Sequence, residues 1–330
     1  MPEHITITRA GISCIQDLGR RGWSRYGLPV NGAADQYSAS VANVLVGSPR
    51  AAALIEITLL EFGATISGDS VVALTGAPAE VTIDGQSVPQ WQPLQIRAGQ
   101  QLTVRKIRGG LRVYLAVRGE VIAQRMAGSA APDSIIGFGR SLTTGDQVPF
   151  DGVDLGRTIN RPGPFVPAEY LNVGIPRFTP DTVIRVTEGP EAHEFSRAWD
   201  VLQADPYVIT PQSNHVGLRL AGAVPARRHG GEVLSRGVPV GAVEVPTSDR
   251  LLVLHRGRGV TAGYPVLAVV TTTSLDLLGQ ARPGHQVRFR LQAVREAVAV
   301  QRIQSTSIDR LAGRTTGIFS AYHRVTGMAS

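Results

Sequence analysis

Gln212-Ser213-Asn214-His215, followed by Gly217 and Arg219, sits between two apolar runs in VITPQSNHVGLRLAG, residues 208–222. The spacing gathers amide, hydroxyl, imidazole and guanidinium groups at one strand mouth. Such groups are costly to bury alone, so they bond within the chain or face a ligand. Gln212, Ser213, Asn214 and Arg219 are donors suited to an oxygen on which charge develops. One fixed donor of that kind is worth about 3–4 kcal/mol. His215 adds a titratable ring, a candidate acid/base. The structural alternative is a turn whose side chains cap its own backbone.

The elements that must position this cluster are mostly strands. ITITRAG, VVALTGAPAEVTIDG, PLQIRAGQQLTVRKI and GLRVYLAVRGE alternate apolar with polar or small residues between turn signals. Asp84-Gly85 predicts a tight hairpin turn. One early helix is expected, capped by Asp35 and ending at Gly47. Residues 1–150 read as a first unit. The Gly- and Pro-rich stretch 151–180 reads as a linker, and 181–304 as a second strand-rich unit. A terminal helix is expected over VREAVAVQRIQ. The polar residues 305–330 read as a tail.

Composition narrows the function classes. The 330 residues carry a net charge of +7, and Lys106 is the only lysine. The arginines are scattered and aromatic residues sparse, which argues against nucleic acid as a partner. The single cysteine, Cys14, excludes an internal disulfide and a cysteine-built zinc site, and reads as a buried inert thiol. The seven histidines have no ligand-like spacing, so no metal site is predicted. There is no G-x-x-x-x-G-K-[ST], G-x-S-x-G or H-E-x-x-H. No apolar leader or membrane-length run is present, so no membrane contact and a cytoplasmic location are expected. Lys106 in TVRKIRGG does not fit a biotin-carrying hairpin, so biotin could act only in trans.

Several segments together resemble one family. They are Arg9-Ala10-Gly11; Gln16-Asp17 with Gly19-Arg20; Gly32-Ala33 with Asp35; Asn43 with Leu45-Val46-Gly47; and Glu56. VVALTGAPAEVTIDG, LRVYLAVRG, EGPEAHEF, TPQSNHVGLRL, SRGVPVGAVEVP and TAGYP complete the set. The family comprises the 5-oxoprolinase C-type chain, allophanate-hydrolase subunit 2-like proteins and the related part of urea carboxylase. The resemblance implies an all-β fold with a few helices: two β-barrel units, the second cyclophilin-like. It implies a homologous partner of the subunit-1 or B type, with the active site where the two meet and ATP at that interface. The leading function is the second subunit of an ATP-dependent enzyme processing a small amide or lactam. One alternative is a non-catalytic regulator that antagonises a kinase inhibitor. Another is a carboxyltransferase half using biotin in trans.

Carried onto this chain, the resemblance assigns His215, Arg219 and Glu244 to catalysis. It assigns Gln212, Ser213, Asn214, Arg236, Thr261 and Tyr264 to substrate binding. The chain departs from the family in the same places. His215 stands where the family has arginine, Arg236 for an acid, and Glu244 for glutamine. Gly257 and Gly259 stand for Asp and Gln, and GSAAPDS lacks a hydroxyl pair. The losses at 257 and 259 read as drift or a wider pocket. The swaps at 236 and 244 read as reprogramming, with Arg236 and Glu244 able to pair, or as solvated surface charges.

Overall fold

The computed structural model describes residues 2–152, 163–164, 166, 168–228, 233–246 and 250–325. The strand alternation seen in the sequence builds two sheets from the first half. A seven-stranded sheet runs Glu120–Val121, Gln147–Asp151, Glu3–Arg9, Phe62–Ile66, Gln101–Arg105, Glu80–Ile83 and Gln86–Ser87. A six-stranded sheet runs Gly163–Pro164, Pro93–Ile96, Ser70–Gly76, Arg112–Val117, Leu54–Thr58 and Ile12–Gln16. Alternate residues of both sheets, among them Ile5, Ile57, Phe62, Leu74, Leu102 and Leu115, share one apolar core. The Asp84-Gly85 turn closes its hairpin with φ of 49° and 76°, as the sequence predicts.

The second half closes a seven-stranded barrel. Asp181–Glu188 pairs in parallel with Gln286–Leu291 to seal it. Val186, Leu218, Leu220, Val243, Val253 and Phe289 fill the interior. A short ribbon, Arg236–Gly237 against Thr261–Ala262, leaves the barrel wall. Val238, Ala242, Leu254 and Val266 form a separate small apolar cluster.

Helices cover the junction. α1 (Gln36–Leu45) starts where Asp35 accepts from Ser38 N at 2.9 Å, the expected cap. α2 (Ala168–Leu171), within the segment read as a linker, buries Leu171 in the helical cluster. α3 (Ala198–Ala204) and α4 (Thr272–Leu278) belong to the barrel half.

The expected tail is a correction. α5 spans Val294–Val325 as 32 helical residues, so helix continues where a polar tail was read. Ile308, Leu311, Thr315 and Phe319 recur at helical spacing. All four are buried, and the three apolar ones join Val41, Val44 and Leu45 of α1 in one cluster. Gly47 permits that docking. Its φ is +75°, and a Cβ there would lie 3.0 Å from Phe319 Cδ2. The Arg118 guanidinium lies 3.7 Å from the Phe319 ring centroid.

Candidate functional site

The Gln212–Arg219 turn is largely closed on itself. Ser213 Oγ accepts from Arg219 N at 3.0 Å and donates to Arg219 O at 3.3 Å. Asn214 Oδ1 accepts from Val216 N and Gly217 N at 2.9 and 3.2 Å. Arg219 Nη1 donates to Gln212 O at 2.7 Å. The residue types chosen for ligand contacts therefore also make the turn. The donors left over among the described residues are Asn214 Nδ2, the Gln212 amide and the rest of the Arg219 guanidinium.

Ser213, Asn214 and His215 line a narrow cleft of about 50 Å³ with Arg112, His255 and Gly279. That is room for a few waters. The cleft lies between the two halves, because Arg112 comes from the six-stranded sheet. His215 Nε2 is 3.3 Å from Ser134 Oγ, also of the first half. Burial and then the Arg112 charge pull the His215 pKa down, against the opposite pull of Glu56 and Asp133. His255 is buried and held neutral, its pKa lowered to about 3 by burial and neighbouring arginines. Its Nε2 lies 3.2 Å from Leu275 O, an acceptor only, so that nitrogen carries the proton.

Two of the departures, at 215 and 257, lie against each other. A Cβ at Gly257 would fall well inside contact of the His215 ring and 3.1 Å from Asn31 Oδ1. The imidazole at 215 takes the space that a side chain at 257 needs. The backbone oxygen of His215, 3.0 Å from that Cβ position, crowds it as well. Gly259 has no such neighbour; among the described residues only Thr261 O, at 3.7 Å, comes within 4 Å of its Cβ position.

The remaining predicted residues gather elsewhere. Arg236 pairs with Glu191 at 2.6 Å, and Glu191 Oε2 also accepts from Val266 N at 2.8 Å. Among the described residues the ion pair of Arg236 is therefore with Glu191 and not with Glu244, the partner read as able to take it, although its charge still reaches Glu244. Glu244 is no surface charge. It is 1% exposed, and its Oε1 has no hydrogen-bond partner among the described residues. Burial raises its carboxyl to about 7, against the pull of Arg236 and Arg258. Arg258, also buried, donates from Nη2 to Val238 O at 2.6 Å, while Nε and Nη1 are unpartnered among the described residues. Thr261 and Tyr264 are exposed, on and beside the ribbon. No hydrogen bond or ion pair among the described residues joins this group to the Gln212–Arg219 turn.

A network ties the halves together, and the sequence had singled out only its Asp35 and Glu56. Arg112 Nε pairs with Glu56 Oε1 at 3.2 Å, and Arg112 Nη1 donates to Gly279 O. Glu56 Oε2 accepts from Tyr114 OH at 2.9 Å and from Ala34 N at 3.2 Å. Gln280 Oε1 accepts from Leu111 N and Arg112 N, and its Nε2 donates to Asp35 Oδ2 at 2.8 Å. Asp276 Oδ1 accepts from Gln36 N at 3.0 Å and Arg256 Nη2 at 2.9 Å. Burial and the nearby Asp35 raise the Asp276 carboxyl to about 7 against the Arg256 charge. The Asp35 carboxyl is pushed up by burial as well. The one sequence signal for Asp276 was a lone acid inside the apolar turn TTSLDLL.

The motif residues of the first half also hold structure. Asp17 accepts from Gly19 N, Ser129 Oγ and Ala130 N, and the buried Arg20 ties down Met126, Ala131 and Asp133. Cys14 is half-buried, its thiol pushed up to about 12 by burial and Glu56.

Among the described residues, no group of three or more His, Cys, Asp or Glu is placed to hold a metal ion. No described helix is long and apolar enough to cross a membrane. Residues 26–291 match the family described as carboxyltransferase domain, subdomain A and B. The chain is 33% identical over 316 residues to the C-type chain of Escherichia coli 5-oxoprolinase, covering 94% of this chain and 98% of that one. Against urea amidolyase of Saccharomyces cerevisiae it is 28% identical, covering 94% of this chain and 18% of the relative. The crystal structure of Kluyveromyces lactis urea amidolyase superposes with a TM-score of 0.84 at 25% identity, over 94% of this chain and 20% of that one. The chain thus spans about a fifth of the amidolyases. Its barrel and the junction at Arg112 and Gly279 fall inside the matched residues, and on that match the chain belongs to the carboxyltransferase domain, subdomain A and B family.

Proposed function

We propose that this chain is the C-type component of an ATP-dependent complex that processes a small amide or lactam. One observation carries the reading: the match to the C-type chain of 5-oxoprolinase runs nearly end to end, over 98% of that relative. An activity assembled from several chains suits the cleft at His215. At about 50 Å³ it is too narrow for a whole substrate, and a partner of the subunit-1 or B type supplies the opposite wall. ATP is bound on the partner's side of that interface. This chain contributes donors: Arg219, Asn214 Nδ2 and the Gln212 amide contact the substrate carbonyl oxygen as charge develops on it. His215, its pKa lowered, is neutral at neutral pH and accepts a proton. Arg236, Thr261 and Tyr264 line the substrate approach beside the ribbon, with Glu244 buried near Arg236.

The test is co-purification with the partner encoded beside it, followed by ATP hydrolysis with 5-oxoproline, other lactams and small amides. Turnover stimulated by one of them is expected, and Arg219→Ala should abolish it while the fold persists. A stable complex with no stimulated turnover refutes the reading. The family match favours one second reading, carboxyl transfer with biotin carried on another chain. Lys106, the only lysine, pairs with Glu80 at 3.1 Å and offers no attachment hairpin. Transfer from a carboxylated biotin carrier to urea, without lactam turnover, would select that reading.

A further inference from the structure

The stripe that docks α5 continues past the part that is docked. Ile308, Leu311 and Phe319 are buried with α1 in one apolar cluster. Followed back toward the N-terminus at helical spacing, the same side of the helix carries Gln301, Val298, Ala297 and Val294. These four line a groove of about 420 Å³ instead of a core. Val294 is 65% exposed and Val298 39%. The first turns of α5 thus turn aliphatic side chains toward space that no protein atom fills.

The facing walls come from both halves of the chain. Val30 belongs to the first half, and Val240, Val269, Val270 and Leu275 belong to the barrel half. Among the described residues, no acid and no aromatic side chain lines the groove, and its charged residues are Arg21 and Arg256. The Arg256 charge is answered by Asp276 at 2.9 Å. Arg21 is exposed, and its one hydrogen bond among the described residues runs from Nη2 to Gln36 Oε1 at 3.2 Å. An aliphatic trough therefore carries one cation that has no counter-ion among the described residues.

We propose that this groove binds a medium-chain alkyl carboxylate, a free fatty acid, with its chain along the valines between α5 and the barrel and its carboxylate at Arg21. The walls select the class. Aliphatic side chains with no aromatic face suit an alkyl chain better than a planar ring. Two arginines and no acid favour an anion and oppose an ammonium. A single unanswered guanidinium matches a single negative charge. The volume falls within the ~300–1,000 Å³ common for small-molecule sites. The groove shares no lining residue with the His215 cleft, so the site stands apart from the amide chemistry proposed above. A ligand seated there touches the first half, the barrel half and α5 together, and its binding should raise the melting temperature.

The experiment titrates the full chain at neutral pH with octanoate, below its micelle concentration, followed by ligand-observed NMR. Butyrate and hexanoate vary the chain; octanol and octylammonium vary the head group. Each methylene added from butyrate to octanoate should tighten binding about fourfold. Octanoate should bind about tenfold more tightly than octanol, and octylammonium more weakly than either. Arg21→Gln removes the cation but keeps the aliphatic walls, so it should bring octanoate down to the level of octanol. Val298→Trp fills the groove from an exposed position on α5 and should abolish binding while the circular dichroism persists. Octanoate that binds no better than octanol overturns the proposal, as does an affinity that ignores chain length. So does a preference for octanoate that Arg21→Gln leaves unchanged, or binding that Val298→Trp leaves intact, since the ligand would then sit elsewhere.

Discussion

Glu244→Gln isolates the cost of keeping a carboxyl under the barrel's ribbon. Glu244 is 1% exposed with Oε1 unpartnered among the described residues, and its pKa is raised from 4.5 to about 7. The fold thus favours the protonated form. Stability linked to this group is fully present below pH 4.5, declines as pH rises through the interval, and is lost above about 7. The interval from 4.5 to about 7 corresponds to about 3 kcal/mol. Glutamine has nearly the same shape, keeps a neutral hydrogen-bonding group and does not titrate. The variant should therefore equal wild type near pH 4.5 and exceed it by about 3 kcal/mol at pH 8. Urea denaturation of both proteins at pH 4.5, 6 and 8, with matched m-values, measures the difference. A wild type and variant that differ by the same amount at all three pH values would refute the argument. The carboxyl would then be ionised at no cost, with Arg258 as its partner.

Three further perturbations test the rest of the architecture. Gly257→Ala should cost about 2 kcal/mol because its Cβ meets the His215 ring and, at 3.0 Å, the His215 backbone oxygen, and the part due to the ring should be recovered in the His215→Ala background; additive single effects would break the link. His255, held neutral with a pKa near 3, binds its proton in the unfolded chain first, so stability falls as pH drops from 6.5; His255→Asn should flatten that acid limb, and an unchanged limb would refute it. Leu311→Ala should lower stability by about 2–4 kcal/mol if α5 docks on α1, as measured by denaturation; a loss under 1 kcal/mol would mean that the helix is an unattached arm.

What was legible depended on how far along the chain the cause lay. The cap at Asp35 and the turn at Asp84-Gly85 depend on residues within a few positions, and both form as read. α5 was read short because its buried stripe includes Thr315 and the helix contains Gly313 and Gly317, which resemble tail residues in a window. The barrel was implied only by the family resemblance, and the junction was out of reach for a different reason. Gln36 meets Asp276 across 240 positions and Asp35 meets Gln280 across 245. No local pattern encodes such a pairing. Asp35 was legible as a helix cap, yet its second bond, to Gln280, makes it part of the tie between halves.

The same distinction bears on which departures from the family matter. A sequence shows substitutions one at a time, so glycine at 257 looked like a lost side chain. Space couples it to 215: the ring needs the volume, and the ring's pKa is lowered by burial in that same volume. The cleft holds the imidazole where it does because position 257 carries no side chain. Glu244 bears on the same question. A buried carboxyl raised to about 7 has a standing cost at neutral pH, and a chain under no demand at that position sheds the cost by a single change to glutamine. Its presence, beside Arg258 and with Oε1 unpartnered among the described residues, makes the ribbon region the place where a changed substrate preference should first be sought.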